Sequence, residues 1–181
     1  MQRQKGGLAV GLIILILAFG AITMGGRAMA LELLSTAFNH KGDIPQVHTC
    51  DGSDISPSLS WNDPPPGTQC LALICDDPDA PRGTWVHWVL YGIAPETRDL
   101  PQGAGGADQK PHGALQGKND FGRLGYGGPC PPQGSPHRYF FKLYALDTLL
   151  QLQPGMTKAQ LLKAMEGHIL EQTELVGLYA R

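Results

Sequence analysis

Residues 69–81 read QCLALICDDPDAP, and this stretch decides the fold. From Gln69 to Cys75 the chain is an apolar run of strand length, which is typical of a strand covered on both faces. The acidic motif from Asp76 to Pro81 begins where this strand ends, since proline cannot continue a strand ladder. We therefore expect a buried central strand that ends in a loop rich in carboxylates.

Two more segments have the pattern of central strands. Residues 85–91 alternate, which places His87 with Val89 on one face and Val86 on the other, and both faces are largely apolar. Residues 138–146 are again apolar on both faces. Shorter strands are predicted at 31–38, 58–61 and 113–117, and the tail at 174–179 fits either a last strand or a second short helix.

One convincing helix is expected near the end of the chain. Thr157 and Gln160 fit a capping box, and Leu161, Met165 and Ile169 recur at helical spacing. The 24 glycines and 15 prolines predict many turns and short strands rather than a helical bundle. The sequence thus predicts a mainly β protein, a β-sandwich with one or two peripheral helices.

The first thirty residues have the pattern of a secretory signal peptide. Basic residues precede an apolar run from Leu8 to Ile22, and Ala28-Met29-Ala30 offers the small residues of a cleavage site. The alternative is an uncleaved N-terminal membrane anchor, although this run is shorter than the ~20 residues that a span needs. We expect a signal peptide at 1–30, one domain at 31–181, and a periplasmic or secreted protein; an anchored domain facing the periplasm is the alternative.

The domain itself is acidic. Of the 14 basic and 16 acidic residues in the chain, residues 1–30 hold three basic and none of the acidic ones, which leaves 11 basic and 16 acidic. Binding to a phosphate backbone needs a basic face, and the Lys and Arg residues do not cluster. We therefore expect no nucleic-acid partner.

Four cysteines gain meaning if the domain is exported, because thiols pair outside the cytoplasm. Cys70 and Cys75 lie five apart in one strand, on opposite faces and ~17 Å apart, so they cannot bridge each other. They are expected to be free and buried. Cys50 and Cys130 both sit in loops and are a candidate pair, although connectivity cannot be deduced from spacing.

Asp77 and Asp79 flank Pro78 and point the same way if the chain is extended there. Held close together and partly buried, such a pair would repel, and one carboxyl would tend to keep a proton. The plainer interpretation is a turn in which the aspartates accept hydrogen bonds from nearby backbone N–H groups, and spacing alone favours it.

A second group of polar side chains begins the strand at 138–146. His137 and Tyr139 are two residues apart, so they share one face. If this strand end meets Asp77, the imidazole and phenol would supply donors for a phosphate or carboxylate, with Asp79 orienting a ring nitrogen. His87 alone, on an apolar face, is more simply a core histidine.

These motifs, in this order, resemble those of the phosphatidylethanolamine-binding protein family. The resemblance rests on Asp77-Pro78-Asp79-Ala80-Pro81, His87-Trp88, residues 127–132 (GGPCPP) and His137-Arg138-Tyr139. It extends upstream to Cys50-Asp51-Gly52 and to residues 56–61 (SPSLSW), so it covers essentially everything after residue 33. The match is to the bacterial and archaeal branch that resembles Raf kinase inhibitor.

The resemblance implies a β-sandwich of two packed sheets, of Greek-key type, with a small pocket that accepts phosphate, acetate or phospholipid headgroups such as phosphoethanolamine. It implies no cofactor and no metal. Arg138 would face away from the pocket. Transferred residue by residue, the ligand-binding positions would be Asp77, Asp79, His87, His137 and Tyr139, with Pro78 and Pro81 in the wall and Gly128 at the rim.

We therefore expect a non-enzymatic, exported binder of a small anionic or phosphorylated ligand, which meets a membrane only through residues 1–30 if these are retained. One alternative is a protein-interaction or inhibitor module with an exposed apolar patch at 95–106. Another is a hydrolase that uses His87 or His137 as the base, with water or Cys130 as the nucleophile. Zinc ligation by the same histidines and aspartates is a further alternative, but the paired spacing of metal ligands is missing.

Overall fold

The computed structural model describes residues 1–2, 29–150 and 153–181. The predicted signal peptide or anchor lies almost entirely outside the described residues. Within them, no helix is both long enough and apolar enough to cross a membrane.

Among the described residues, nine strands form two packed sheets, as predicted, and one α-helix packs against the larger sheet. In chain order they are β1 (Leu33–Leu34), β2 (Gly42–Asp43), β3 (Leu59–Trp61), β4 (Cys70–Asp77), β5 (Trp85–Ile93), β6 (Asp99–Leu100), β7 (Leu115–Gln116), β8 (His137–Leu146), α1 (Lys158–Met165) and β9 (Ile169–Tyr179). The small sheet has the order β1-β3-β6 and the large one β2-β9-β8-β4-β5-β7. Within the large sheet, the antiparallel order β8-β4-β5-β7 is that of a Greek key.

Strand β4 is the centre of the large sheet and is buried along its whole length. Leu71, Leu73 and Cys75 belong to the core between the two sheets. Ala72 and Ile74 face the other way and pack in a second cluster with α1. The run at 69–75 is therefore apolar because both of its faces are covered, which confirms the prediction from the sequence.

The helix covers the outer face of the large sheet. The predicted capping box is present, since the Thr157 side chain accepts from the Gln160 backbone and the Gln160 side chain accepts from the Thr157 backbone. Leu161 and Met165 are fully buried against the sheet, and burying each contributes ~1.5–3 kcal/mol. The helix also contributes Lys158, which together with Lys142 pairs with the buried Asp76 carboxylate.

The predicted alternation in β5 is wrong at one position, because the strand contains a bulge. Asp76 pairs with Val86 and Cys75 pairs with Trp88, so His87 is an extra residue without a partner in β4. Val86 consequently packs on the same side as Val89, under the helix. His87 instead stacks edge-on against Tyr139, a residue of the core between the sheets.

Two other elements differ from the prediction in extent. The first strand spans only Leu33–Leu34, because the Ser35 hydroxyl accepts a hydrogen bond from the Ala37 N–H and donates one to the Ser58 carbonyl, which turns the chain. Ile169 begins a strand instead of extending the helix, since Gly167 adopts φ 79° and ends the helical path. The tail is therefore a strand, and β9 pairs with β8 along its length.

Candidate functional site

A cavity of about 210 Å³ opens at the edge of the large sheet where β4 ends and β5 and β8 begin. Its wall is mostly apolar, and Asp77 is the one acidic residue in it; Lys and Arg are missing from the lining among the described residues. The lining consists of Asp77, Ala80, Pro81, Trp85, His87, Phe121, Cys130, Pro131, Pro132, His137 and Tyr139. The fold thus brings both halves of the sequence pattern to one place.

His137 is held by Asp77 across the two strand ends. Its Nδ1 lies 2.7 Å from Asp77 Oδ2. Because the carboxylate can only accept, Nδ1 carries the proton and Nε2 remains for a ligand. Asp77 is itself buried, and its other oxygen accepts from the Asp79 N–H at 2.8 Å. The turn expected from the Asp-Pro-Asp spacing is therefore present, and it serves to fix an imidazole.

The Tyr139 hydroxyl is buried and has no hydrogen-bond partner among the described residues. Burial raises the pKa of this phenol well above its usual range, and the nearby Asp77 charge adds to the effect. The group therefore stays protonated and can donate. An unpaired buried hydroxyl costs ~1–3 kcal/mol in a folded protein, so a ligand oxygen placed beside it would recover that loss.

His87 faces the cavity because of the bulge in β5. Its Nδ1 lies 2.6 Å from the Gly127 carbonyl, so this nitrogen carries the proton in the neutral ring. Burial lowers the pKa of His87, and the hydrogen bond to the Gly127 carbonyl partly opposes this shift. The ring packs edge-on against Tyr139 and Phe121 with centroids 5.1 and 5.4 Å apart. A neutral His87 therefore presents Nε2 as an acceptor.

The structure corrects the role expected of Asp79. It does not orient an imidazole, which Asp77 does; its carboxylate accepts from Arg138 Nε at 2.8 Å and Nη2 at 2.6 Å. The hydrogen bonds from Arg138 lower the pKa of Asp79 to about 2, so this carboxyl does not keep a proton. The turn at Pro78 directs Asp79 toward the outer side of β8. Pro78 and Asp79, both expected at the pocket, are therefore not among the residues that line the cavity.

The rim of the cavity is tied to the loop at residues 50–54. Cys50 and Cys130 form a disulfide with Cα atoms 5.4 Å apart, which confirms the candidate pair. Cys130 lines the cavity but, being bonded, has no thiol for the predicted nucleophilic role. Gly128 lies outside the lining and packs against the same loop, where an added Cβ would come within 2.4 Å of the His48 carbonyl oxygen.

Two aromatic residues of the cavity wall were not predicted from the sequence. Trp85 and Phe121 meet edge-on with centroids 5.4 Å apart and close one side of the cavity. Phe121 is 41% exposed. A large aromatic residue isolated in a long loop of Gly and Pro was the signal that could have identified it.

Three further predictions concern the segment at 95–106, the free cysteines and metal binding. In the segment at 95–106, Leu100 and Ala104 are buried, so the apolar patch expected there is not exposed. The free cysteines Cys70 and Cys75 are buried, as predicted. Within the described ranges, no group of three or more His, Cys, Asp or Glu side chains is arranged to hold a metal ion.

Several known proteins are similar to this chain in sequence. A family model described as phosphatidylethanolamine-binding protein matches residues 34–180. A UPF0098 protein from Methanothermobacter thermautotrophicus is 54% identical over 151 residues, which cover 83% of this chain and 99% of that protein. Another, from Aquifex aeolicus, is 48% identical over 169 residues, which cover 92% of this chain and 97% of that protein.

Solved structures give the same result. The crystal structure of CT736 from Chlamydia trachomatis, a homologue of phosphatidylethanolamine-binding protein, matches with a TM-score of 0.77 and 43% identity and covers 84% of this chain and 98% of its own. YbcL from E. coli, described as a new member of the mammalian family, matches with a TM-score of 0.80 and 33% identity, covering 84% and 99%. With the sandwich, the ordered motifs and the cavity they form, these matches show that the chain belongs to the phosphatidylethanolamine-binding protein family.

Proposed function

We propose that this protein binds a small anionic ligand in the cavity, either a phosphate group or the phosphorylated headgroup of a lipid such as phosphoethanolamine, and does not transform it. The observation that carries the proposal is the buried Tyr139 hydroxyl, which has no hydrogen-bond partner among the residues that the structure describes. This hydroxyl is a donor, and an anionic oxygen of the ligand would be its acceptor.

The neighbouring side chains suit the same ligand. His137, fixed by Asp77, donates from Nε2 when protonated, and neutral His87 accepts from a protonated phosphate oxygen or an ammonium group. The cavity volume of about 210 Å³ is below the ~300–1,000 Å³ of sites for drug-sized molecules. This size favours a headgroup or a free anion over a whole phospholipid.

The proposal includes export from the cytoplasm. The apolar run at residues 8–22, the acidic remainder of the chain and the disulfide all support it, because disulfides persist in oxidising compartments. Mass spectrometry of the protein purified from envelope fractions tests cleavage. We expect the mass of a chain that begins near residue 31. A protein that retains Met1 would rule out cleavage and leave only the anchored alternative.

Calorimetry with phosphoethanolamine tests binding directly. We expect measurable heat at millimolar ligand for the wild type, a loss for His137→Ala, and no change for His168→Ala, which alters an exposed histidine paired with Asp147 outside the cavity. The absence of heat from the wild type with phosphoethanolamine and also with inorganic phosphate would refute the proposal. Release of inorganic phosphate that depends on His87 or His137 would instead show an enzyme.

A further inference from the structure

Two arginines touch the cavity lining from outside. The Arg123 guanidinium lies over the ring of Phe121, 5.6 Å from its centroid. Arg181 Nη1 lies 3.9 Å from Cys130 Sγ. Both Phe121 and Cys130 belong to the lining. Each guanidinium group thus contacts one lining residue of a cavity whose own described lining has neither Lys nor Arg.

Both arginines are held by the loop at residues 50–54, which also carries the disulfide. Asp54 pairs with Arg123 and, through its other oxygen, accepts from the Gly128 N–H at 2.6 Å. Asp51 Oδ2 lies 3.1 Å from Arg181 Nε. One short loop therefore fixes the rim and positions both charges.

Among the described residues, each guanidinium group pairs with its aspartate through one nitrogen, which leaves other N–H donors for a ligand. Arg181 uses Nε for Asp51, and Arg123 uses Nη2 for Asp54. A guanidinium has five N–H donors in a planar fork, so each group can bind a carboxylate on one edge and an anionic oxygen on another. The Arg123 and Arg181 side chains are 51% and 41% exposed, which leaves them accessible to an incoming anion.

We propose that Arg123 and Arg181 form a clamp at the mouth of the cavity that binds the negative charge of the ligand and favours doubly charged phosphate over singly charged carboxylates. This inference rests on the proposed function and assigns it two specificity residues. The phosphate oxygens that point inward meet Tyr139 and His137, and those that point outward meet the clamp. Because Coulomb energy is proportional to charge, the clamp stabilises a dianion about twice as much as a monoanion at equal distance.

The competing explanation is that each arginine only neutralises its aspartate. Removing Arg181 would then weaken anion binding because Asp51 is left unpaired near the mouth. A double variant separates the two explanations, since Asp51→Asn together with Arg181→Gln removes both charges. If the arginine contacts the ligand, this double variant still binds weakly; if it only neutralises Asp51, the double variant binds like the wild type.

The experiment is calorimetry with two probes, inorganic phosphate at about pH 8, where the dianion dominates, and acetate. We expect Arg123→Gln and Arg181→Gln each to weaken phosphate binding roughly tenfold and acetate binding roughly threefold, and Arg181→Lys to lie between Gln and wild type. The matched control is Arg98→Gln, because Arg98 pairs with Asp63 in an exposed ion pair that does not touch the cavity lining. Thermal unfolding of each variant verifies that it is folded.

The outcomes are distinguishable. Continued weak phosphate binding by Asp51→Asn/Arg181→Gln, together with a larger loss for phosphate than for acetate, supports the clamp. Restored binding in that double variant, equal losses for both anions, or no loss in either single variant overturns the clamp and leaves the proposed function intact. A wild-type protein that binds neither inorganic phosphate nor phosphoethanolamine overturns the proposed function and the clamp with it.

Discussion

Arg138 holds Asp79 through three hydrogen bonds, two from its guanidinium and one from its backbone N–H at 3.0 Å. The residue before Arg138 in β8 is His137, which bonds to Asp77, two positions before Asp79. Two neighbouring residues of β8 thus fix two carboxylates: that of Asp77, at the end of β4, faces the cavity, and that of Asp79, in the following turn, faces solvent.

The outer pair is expected to contribute modestly to stability. A double-mutant cycle with Asp79→Asn and Arg138→Gln should give a small stabilising coupling, because both side chains are partly exposed and solvent screens the pair. The folded pKa of Asp79 is about 2, below its ordinary 3.8. The coupling is therefore fully present above that ordinary value and disappears as the pH falls through about 2. Unfolding in urea measures the coupling. A coupling that is the same at about pH 2 as above pH 3.8 would contradict an ion pair between Asp79 and Arg138.

Tyr139→Phe should separate stability from binding. The substitution removes a buried hydroxyl without a partner, so we expect the free energy of unfolding to be unchanged or to rise by up to about 1 kcal/mol. Affinity for phosphoethanolamine should fall roughly threefold to tenfold, because one hydrogen bond to the ligand is lost. Chemical unfolding and calorimetry measure the two effects. A variant that is clearly destabilised would show that the hydroxyl has a structural partner.

His87 should make stability depend on pH. Because its folded pKa is lowered from 6.5, the unfolded chain takes up a proton first as the pH falls. The free energy of unfolding should thus decrease as the pH drops below about 6.5, and a His87→Gln variant should show a shallower decrease. Equal slopes for His87→Gln and wild type would contradict the expectation.

Reduction of the disulfide should weaken the fold. The bond joins residues separated by 80 positions, and closing a loop of that length in the unfolded chain corresponds to roughly 4 kcal/mol. We expect the urea midpoint of the wild type to fall when a reductant is added. The double variant Cys50→Ala/Cys130→Ala should unfold at the midpoint of the reduced wild type, whether or not the reductant is present. A wild-type midpoint that does not respond would show that the cysteines are not bonded in solution.

Much of the fold could be predicted because its signals are local. The apolar run at 69–75 and the capping box at Thr157 each depend on adjacent residues, and both are present. The spacing of His137 and Tyr139 also placed them correctly on one face, since alternation along a strand needs no knowledge of its neighbours.

The remaining features depend on partners that are distant in the chain. The bulge at His87 is a mismatch between β5 and β4, so a pattern within β5 cannot reveal it. The exchange of roles between Asp77 and Asp79 depends on how the turn at Pro78 meets β8. Phe121 reaches the cavity from a loop whose path is set by its hydrogen bonds to other elements, such as the one from the Asp120 N–H to the Val86 carbonyl.

Because of the bulge in β5, the side chains that line the cavity depend on the number of residues in this strand. A homologous strand with one residue fewer between Val86 and Trp88 would have no extra position to turn an imidazole toward Tyr139. Such a protein could keep the motifs at residues 77–81, 127–132 and 137–139 and still lack one of the two histidines of the cavity. Comparisons of family members should therefore record insertions and deletions in this strand as well as the identity of each residue.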